Sequence, residues 1–426
     1  MSDNDVVAVP VPAVRLVLTA SRVAGATGVA SLLLAGVTVV TARSLGPSGR
    51  GALVLVSTVS TYVMLVISLG IPIPARVMMA GRNRRVVVKN YLGLGLVLFA
   101  IQVLVSTVLI RLALTRSGIS VTPPEDGLAS VYSGALMGAF LLTHALYGVG
   151  FNHHAAFLQV WGAIAQLVLV VGLAMLHVGS VWPYIGAMLG GASCQIVISL
   201  VVLERRLLSI WPTFSLGVWR ALIVRGIPAI GLTLGQAAVL RFDRILVGLY
   251  LAASAVGIYS VAATATEIVW LLPVGLSQVL FHAFASKSVD VSAITRARLA
   301  SLAFAVLTAL AIYAIAPLAI NRLVGAQFAD AVAPLRVLLI GAILLSSYQL
   351  DAYALAARGR LGRAAAATIG GFSAMFLIDL VLIPMYGIVG AAWASVIAYG
   401  VMALAVRIMV TQIRTQPELT TVTPER

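Results

Sequence analysis

Charge is scarce in this chain: Asp, Glu, Lys and Arg together make up 10% of its 426 residues. A soluble domain of average composition carries about a quarter, so a water-facing surface of ordinary extent is excluded. Cysteine is rarer still. Cys194 stands alone, which rules out an internal disulfide, and its expected role is that of a small buried apolar residue. Lys89 and Lys287 are the only lysines, and neither follows glycine. The phosphate-cradling G-K-[ST] loop is therefore missing, and ATP hydrolysis by that route with it. Long polar segments are lacking too: the largest outward stretch, 111–128, is under twenty residues. A membrane glycosyltransferase, polymerase or ligase would display a larger outward catalytic segment, so no enzyme is expected.

What the chain has is apolar length. Hydrophobic residues make up 61%, and a spanning helix needs roughly 20 of them in a row. Twelve stretches qualify: 23–42, 52–74, 90–110, 129–150, 156–176, 182–203, 221–250, 256–284, 298–319, 333–356, 364–384 and 388–411. Backbone groups in lipid must be satisfied within the segment, so such runs mean helices. The ten-residue alternation of a membrane barrel is absent. The fold class is thus an all-α polytopic membrane protein of twelve transmembrane helices. Arg15 and Arg22 before the first span imitate a secretory signal, but the apolar stretch is too long for one and begins a series. An uncleaved first span is expected.

The formal charge of +15 has a topological explanation. With the N-terminus inside, 20 of the 28 Lys and Arg residues fall in cytoplasmic segments, as the positive-inside rule requires. Both termini are therefore expected in the cytoplasm, as a tail over 1–22 and another over 412–426. The location implied is a bacterial-type inner membrane, and nucleic acid is not needed to account for the charge.

Six spans precede the 204–220 linker and six follow it, which divides the chain into bundles at 23–203 and 221–411. The halves echo one another. Leu45-Gly46-Pro47-Ser48-Gly49-Arg50-Gly51 and Leu251-Ala252-Ala253-Ser254-Ala255-Val256-Gly257 share Leu, Ser and Gly at an offset of 206, and Ile185-Gly186-Ala187 matches Val389-Gly390-Ala391 at 204. An even number of spans per half makes the copies parallel, and transporters built this way bind substrate between the halves.

Ionisable groups inside lipid are costly and usually mark a pathway. Arg241 and Arg244, three apart with Asp243 between them, can form a phosphate-binding fork; a charged collar of snorkelling side chains at the outer interface is the alternative. Glu267 lies well inside its span and is either a proton or cation site or a helix contact. Asp351 shares a face with Arg358. Asp379 has no partner nearby in sequence. His144, His153 and His154 lack clustered Cys, Asp or Glu to complete a metal site, so no metal or cofactor is expected.

Ala42-Arg43-Ser44-Leu45-Gly46-Pro47-Ser48-Gly49-Arg50-Gly51 resembles the "A-R-x-L-G-P-x-G-x-G" block of polysaccharide-repeat flippases, the Wzx-like branch of the multidrug/oligosaccharidyl-lipid/polysaccharide exporter superfamily. Asp243-Arg244-Ile245-Leu246 with Val256-Gly257-Ile258-Tyr259-Ser260 is similar to that branch's "D-R-x-L…G-x-Y-S" stretch. One departure is Phe281-His282-Ala283-Phe284, where the family often has proline. The resemblance implies a MATE-like fold and translocation of a polyprenyl-pyrophosphate-linked oligosaccharide from inner to outer leaflet through a central cationic cavity. It implies that Arg241, Arg244, Arg22, Arg76 and Arg225 meet the diphosphate, and that Asp243, Glu267 and Asp351 serve ion or proton coupling. The partners implied are the lipid-linked oligosaccharide, membrane lipid and other polysaccharide assembly proteins. The rival readings are a multidrug exporter of the same superfamily and a major-facilitator-type carrier. The exporter is disfavoured by a lining rich in arginine. The carrier is disfavoured by Gly81-Arg82-Asn83-Arg84-Arg85, which lacks that family's aspartate and second glycine. A membrane enzyme of glycan assembly is a third.

Overall fold

A backbone in lipid must satisfy its own hydrogen bonds, and among the described residues the chain is helical with no strand. The structure is a computed structural model that describes residues 13–81, 83–207, 210–285, 291–357 and 361–415. Its helices are α1 (Ala13–Ile67), α2 (Pro72–Met79), α3 (Arg84–Arg116), α4 (Pro123–Gly148), α5 (Asn152–Met175), α6 (Val181–Leu207), α7 (Leu216–Arg241), α8 (Asp243–Tyr250), α9 (Ala253–Ala285), α10 (Val291–Ala319), α11 (Val332–Ala357) and α12 (Leu361–Thr415). A short π turn and a 3-10 turn join α10 to α11.

α1 and α12 each run for 55 residues. At about 1.5 Å per residue such a helix is more than twice as long as a ~30 Å hydrocarbon layer is thick. Each is broken once. α1 turns at Gly46 (φ 66°) just before Pro47, and α12 turns at Gly387 (φ 60°) shortly after Pro384. Glycine admits the positive φ that a side chain resists, and proline withholds an N–H from the helical ladder. Both breaks fall where one expected span ends and the next begins. Eight stretches among the described residues are long and apolar enough to cross a bilayer. A count of twelve rests on taking the two broken stretches twice and adding α7 with α8, and α9.

The core is continuous at one end and divided at the other. At the end that carries the Gly46 and Gly387 turns, Leu55 and Tyr184 from the first half pack in one cluster with Val256, Tyr259 and Phe328 from the second. At the opposite end the described residues form separate clusters. One gathers Met79, Tyr91, Leu146 and Leu158; the other gathers Leu345, Tyr348 and Met402. Leu104, Val108, Leu307 and Leu404 are exposed around the perimeter, as expected where lipid is the solvent. Cys194, expected to be buried, is only half-buried on α6.

Helix α7 belongs to both halves. Its start is tied to the first: the N–H groups of Thr213 and Ser215 donate to the Lys89 carbonyl (3.1 Å) and to Asn90 Oδ1 (2.7 Å), and Trp219 Nε1 donates to the Asn90 carbonyl (3.0 Å). Leu222 completes the first half's cluster, and Val239 joins the second's. A boundary at residue 221 in the chain is therefore not a boundary in the packing.

Two glycines set how near the halves approach at the closed end. A Cβ on Gly51 would strike the Ala253 carbonyl, and one on Gly257 would strike the Pro47 carbonyl. Positions 47 and 51 map onto 253 and 257 by the same offset of 206, so one contact is made twice about a pseudo-two-fold axis.

Candidate functional site

The end of α7 is fixed by an aromatic corner. Phe242, between α7 and α8, meets Tyr62 and Phe372 edge-on, with ring centroids 5.6 and 5.4 Å apart, and Phe376 at 5.9 Å. Such pairs hold a ring more firmly than area burial alone. Tyr62 Oη donates to the Ala237 carbonyl (2.8 Å) and Tyr399 Oη to that of Val239 (3.4 Å), which secures the last turn of α7. With the corner pinned, the side chains on either side of Phe242 are placed with it.

Asp243 turns inward and is fully engaged. Its Oδ1 accepts the Arg244 N–H at 2.8 Å, and its Oδ2 accepts a short bond from the Tyr259 hydroxyl and one of 3.3 Å from Ser395. The charged end of Arg244 pairs instead with Glu267 at 3.6 Å, and Arg241 reaches the same Glu267 oxygen at 3.5 Å. Two arginines thus fork on one carboxylate, that of Glu267. Arg244 is 8% exposed, Glu267 27% and Arg241 46%. Arg241 is therefore the more accessible of the two arginines, and Arg244 stands behind it.

These residues line a small, partly open pocket together with Trp270 and Tyr399. It sits where the shared cluster, through Leu338 and Ala342, meets the second half's own cluster, through Leu345. Two guanidinium groups and two carboxylates thus line the pocket, with Asp243 held by neutral donors and Glu267 facing both arginines.

Not every expected residue arrives here. The Arg76 guanidinium carbon lies 4.6 Å over the Tyr147 ring on α2, away from the pocket. Arg225 is exposed on α7. Asp351 pairs with Arg298 at 3.2 Å and Arg407 at 3.8 Å, an ion cluster in the second half outside the pocket lining. Arg358, its expected partner, lies outside the described residues, as do the side chains of Arg22 and of Phe281-His282-Ala283-Phe284. No group of His, Cys, Asp and Glu among the described residues could hold a metal ion.

Two residues outside the pocket lining interact with charges in it. Arg50, expected in an outward loop, is close enough to Arg244 and Glu267 to interact electrostatically with both. Asp379 on α12 is fully buried with both carboxyl oxygens unpartnered among the described residues, and it interacts electrostatically with Asp243. A lone carboxyl in an apolar span was the available signal for Asp379. For Arg50 there was none, since its neighbours come from the other half.

Residues 20–288 match the family model for polysaccharide biosynthesis proteins. No curated protein matches the chain. Among solved structures, the chain resembles an inward-facing multidrug resistance MATE family transporter of the MOP superfamily, with TM-score 0.71 and 16% identity over 91% of this chain and 96% of that one. It resembles the lipid II flippase MurJ in an inward closed conformation, with TM-score 0.70 and 14% identity over 91% and 87%. An outward-facing MATE transporter gives TM-score 0.54 and 15% identity over 95% and 96%. The fold is that of this transporter superfamily, and the molecule is a multi-pass membrane protein. The chain belongs to the polysaccharide biosynthesis protein family.

Proposed function

We propose that this polysaccharide biosynthesis family member is a flippase that carries a polyprenyl-pyrophosphate-linked oligosaccharide from the inner to the outer leaflet by alternating access. The observation that carries the reading is the arginine fork. Arg241 and Arg244 share one carboxylate in a pocket at the junction of the shared cluster with the second half's own cluster. A diphosphate can compete with Glu267 for both guanidinium groups, and arginine forks suit phosphate geometry. The charged headgroup would meet the fork, while the polyprenyl tail remains in lipid.

Closure at the Gly46 end and division at the other fit one state of an alternating-access cycle between six-helix bundles at 23–203 and 221–411. With both termini cytoplasmic, this state admits substrate from inside. Asp243, next to the buried Asp379, is the better placed coupling group, because a paired carboxyl site changes charge on taking up a proton or cation. Glu267 acts as the counter-ion of the fork. Asp351 braces the second half. Arg76, Arg225 and Arg22 would meet the diphosphate outside this pocket, on its way in. No bond is made or broken in this cycle, so the protein acts as a transporter in the service of glycan assembly enzymes. A cationic drug would meet two guanidinium groups in the pocket, which disfavours the multidrug reading.

The test is reconstitution in proteoliposomes with a fluorescent polyprenyl-pyrophosphate oligosaccharide and a quencher on one side. The native chain should equilibrate the lipid between leaflets. Arg241→Gln with Arg244→Gln should stop it while leaving insertion intact. Undiminished flipping by that variant would remove the fork from the function.

A further inference from the structure

Asp351 stands on a helix face that otherwise turns outward. On α11, Ile340, Leu344, Ser347 and Asp351 recur at helical spacing and share one face. Ile340 is exposed, Leu344 and Ser347 are half-buried, and Asp351 is buried. The change comes from two arginines that reach over the end of this stripe. Arg298 of α10 extends Nη2 to Asp351 Oδ2 at 3.2 Å and to Ser347 Oγ at 3.3 Å, and Arg407 of α12 approaches Asp351 Oδ1 at 3.8 Å. Both α10 and α12 pack on α11, which forms the floor of a groove between them.

The two arginines are held unequally. Arg298 is 21% exposed and bonded to Ser347, whereas Arg407 is 40% exposed and too far from Asp351 for a hydrogen bond. Leu404 and Ile408, on the same side of α12 as Arg407, are exposed, and so is Leu299 beside Arg298 on α10. The charges therefore border an apolar surface that meets lipid. Depth follows from the core. α11 starts in the shared cluster with Leu335 and ends in the second half's own cluster with Leu355, so Asp351 lies at the end away from the Gly46 turn. With both termini cytoplasmic, that end meets the inner leaflet. Arginines at headgroup level above exposed aliphatic side chains are the chemistry of a phospholipid site.

We infer that this groove holds an anionic phospholipid of the inner leaflet, with its phosphate between Arg298 and Arg407 and its acyl chains along Ile340, Leu344 and Leu404. Guanidinium groups donate to phosphate oxygens in a geometry that suits both partners, and Ser347 with Asp351 keeps Arg298 aimed along the groove. A lipid held there ties α10 to α12 across α11 and braces the second half. None of these residues lines the pocket of the arginine fork. The lipid site and the cargo site are therefore separate, and either can fail without the other.

The experiment titrates phosphatidylglycerol, carrying a fluorophore on one acyl chain, into the full-length chain in a neutral detergent. Unlabelled phosphatidylglycerol should displace it, whereas phosphatidylcholine and inorganic phosphate at the same concentration should not. One basic residue facing an anionic lipid is worth about fivefold in affinity. Arg407→Gln should therefore weaken binding about fivefold, and Arg298→Gln with Arg407→Gln about twenty-fivefold. Arg407→Gln leaves Arg298 on Asp351 and should keep the native Tm in the absence of lipid, which separates lost binding from lost folding. Arg241→Gln with Arg244→Gln should bind the lipid normally. Equal displacement by phosphatidylcholine, displacement by inorganic phosphate, or native affinity in Arg298→Gln with Arg407→Gln would overturn the proposal. Weakening by Arg241→Gln with Arg244→Gln would place the lipid in the cargo pocket and overturn it as well.

Discussion

Glu267→Gln is the most incisive single change, because one oxygen of Glu267 serves two guanidinium groups at 3.5 and 3.6 Å. Removing one partner of a buried ion pair costs about 3–5 kcal/mol, since the surviving charge is left unpaired. Here the carboxylate is 27% exposed and both contacts are long. A cost of about 1–2 kcal/mol is therefore expected, between the buried and surface limits. The cost falls almost wholly on Arg244, which is 8% exposed, because Arg241 at 46% reaches water. An anion that replaces the carboxylate should return that stability by mass action, with about 2.7 kcal/mol available at a hundred times Kd. The assay is thermal unfolding of the detergent-solubilised chain, with and without undecaprenyl diphosphate. Glu267→Gln should lower Tm without ligand and show a larger ligand-induced rise than the native chain. Combining it with Arg244→Gln should cost less than the sum of the two single changes, the signature of coupled groups. Additive costs and an unchanged ligand response would refute the fork.

Gly46→Ala forces a side chain into a backbone region open essentially only to glycine (φ 66°, ψ −177°) and should cost about 1–3 kcal/mol, read as a lower Tm with little effect on lipid selectivity. Asp351→Asn removes a carboxylate from between Arg298 and Arg407; transport should fall only in proportion to folded protein, and a changed ion dependence would return Asp351 to the coupling machinery. In a Cys194→Ala background, Arg84→Cys should react with an impermeant thiol reagent only from the cytoplasmic side. Labelling from outside would reverse the orientation.

Much of this architecture is written in local patterns. Apolar length marks the helices, because satisfying the backbone in lipid is a property of each segment by itself. Leu45-Gly46-Pro47 announces its own turn, since glycine and proline act on the residues that carry them. The echo at an offset of 206 foretold a two-fold relation, and the paired contacts of Gly51 and Gly257 express it. The spacing of Arg241 and Arg244 likewise announced that both could reach one anion.

Charge pairing was decided elsewhere. Asp243 lies beside Arg244 in the chain yet spends its oxygens on Tyr259 and Ser395, because the Phe242 corner turns it towards α9 and α12. Glu267 finds its arginines 23 and 26 residues away, and Asp351 finds Arg298 and Arg407 rather than a neighbour on its own helix. Arg50 was an outward-loop residue by hydropathy, and it folds back to donate to Thr38 and Thr41. The sequence by itself determined which segments cross the membrane and where they bend, since those are properties of short runs of residues. Which charges meet was left to the tertiary structure, since in a low-dielectric interior a charge must take whatever partner the packed helices bring within reach.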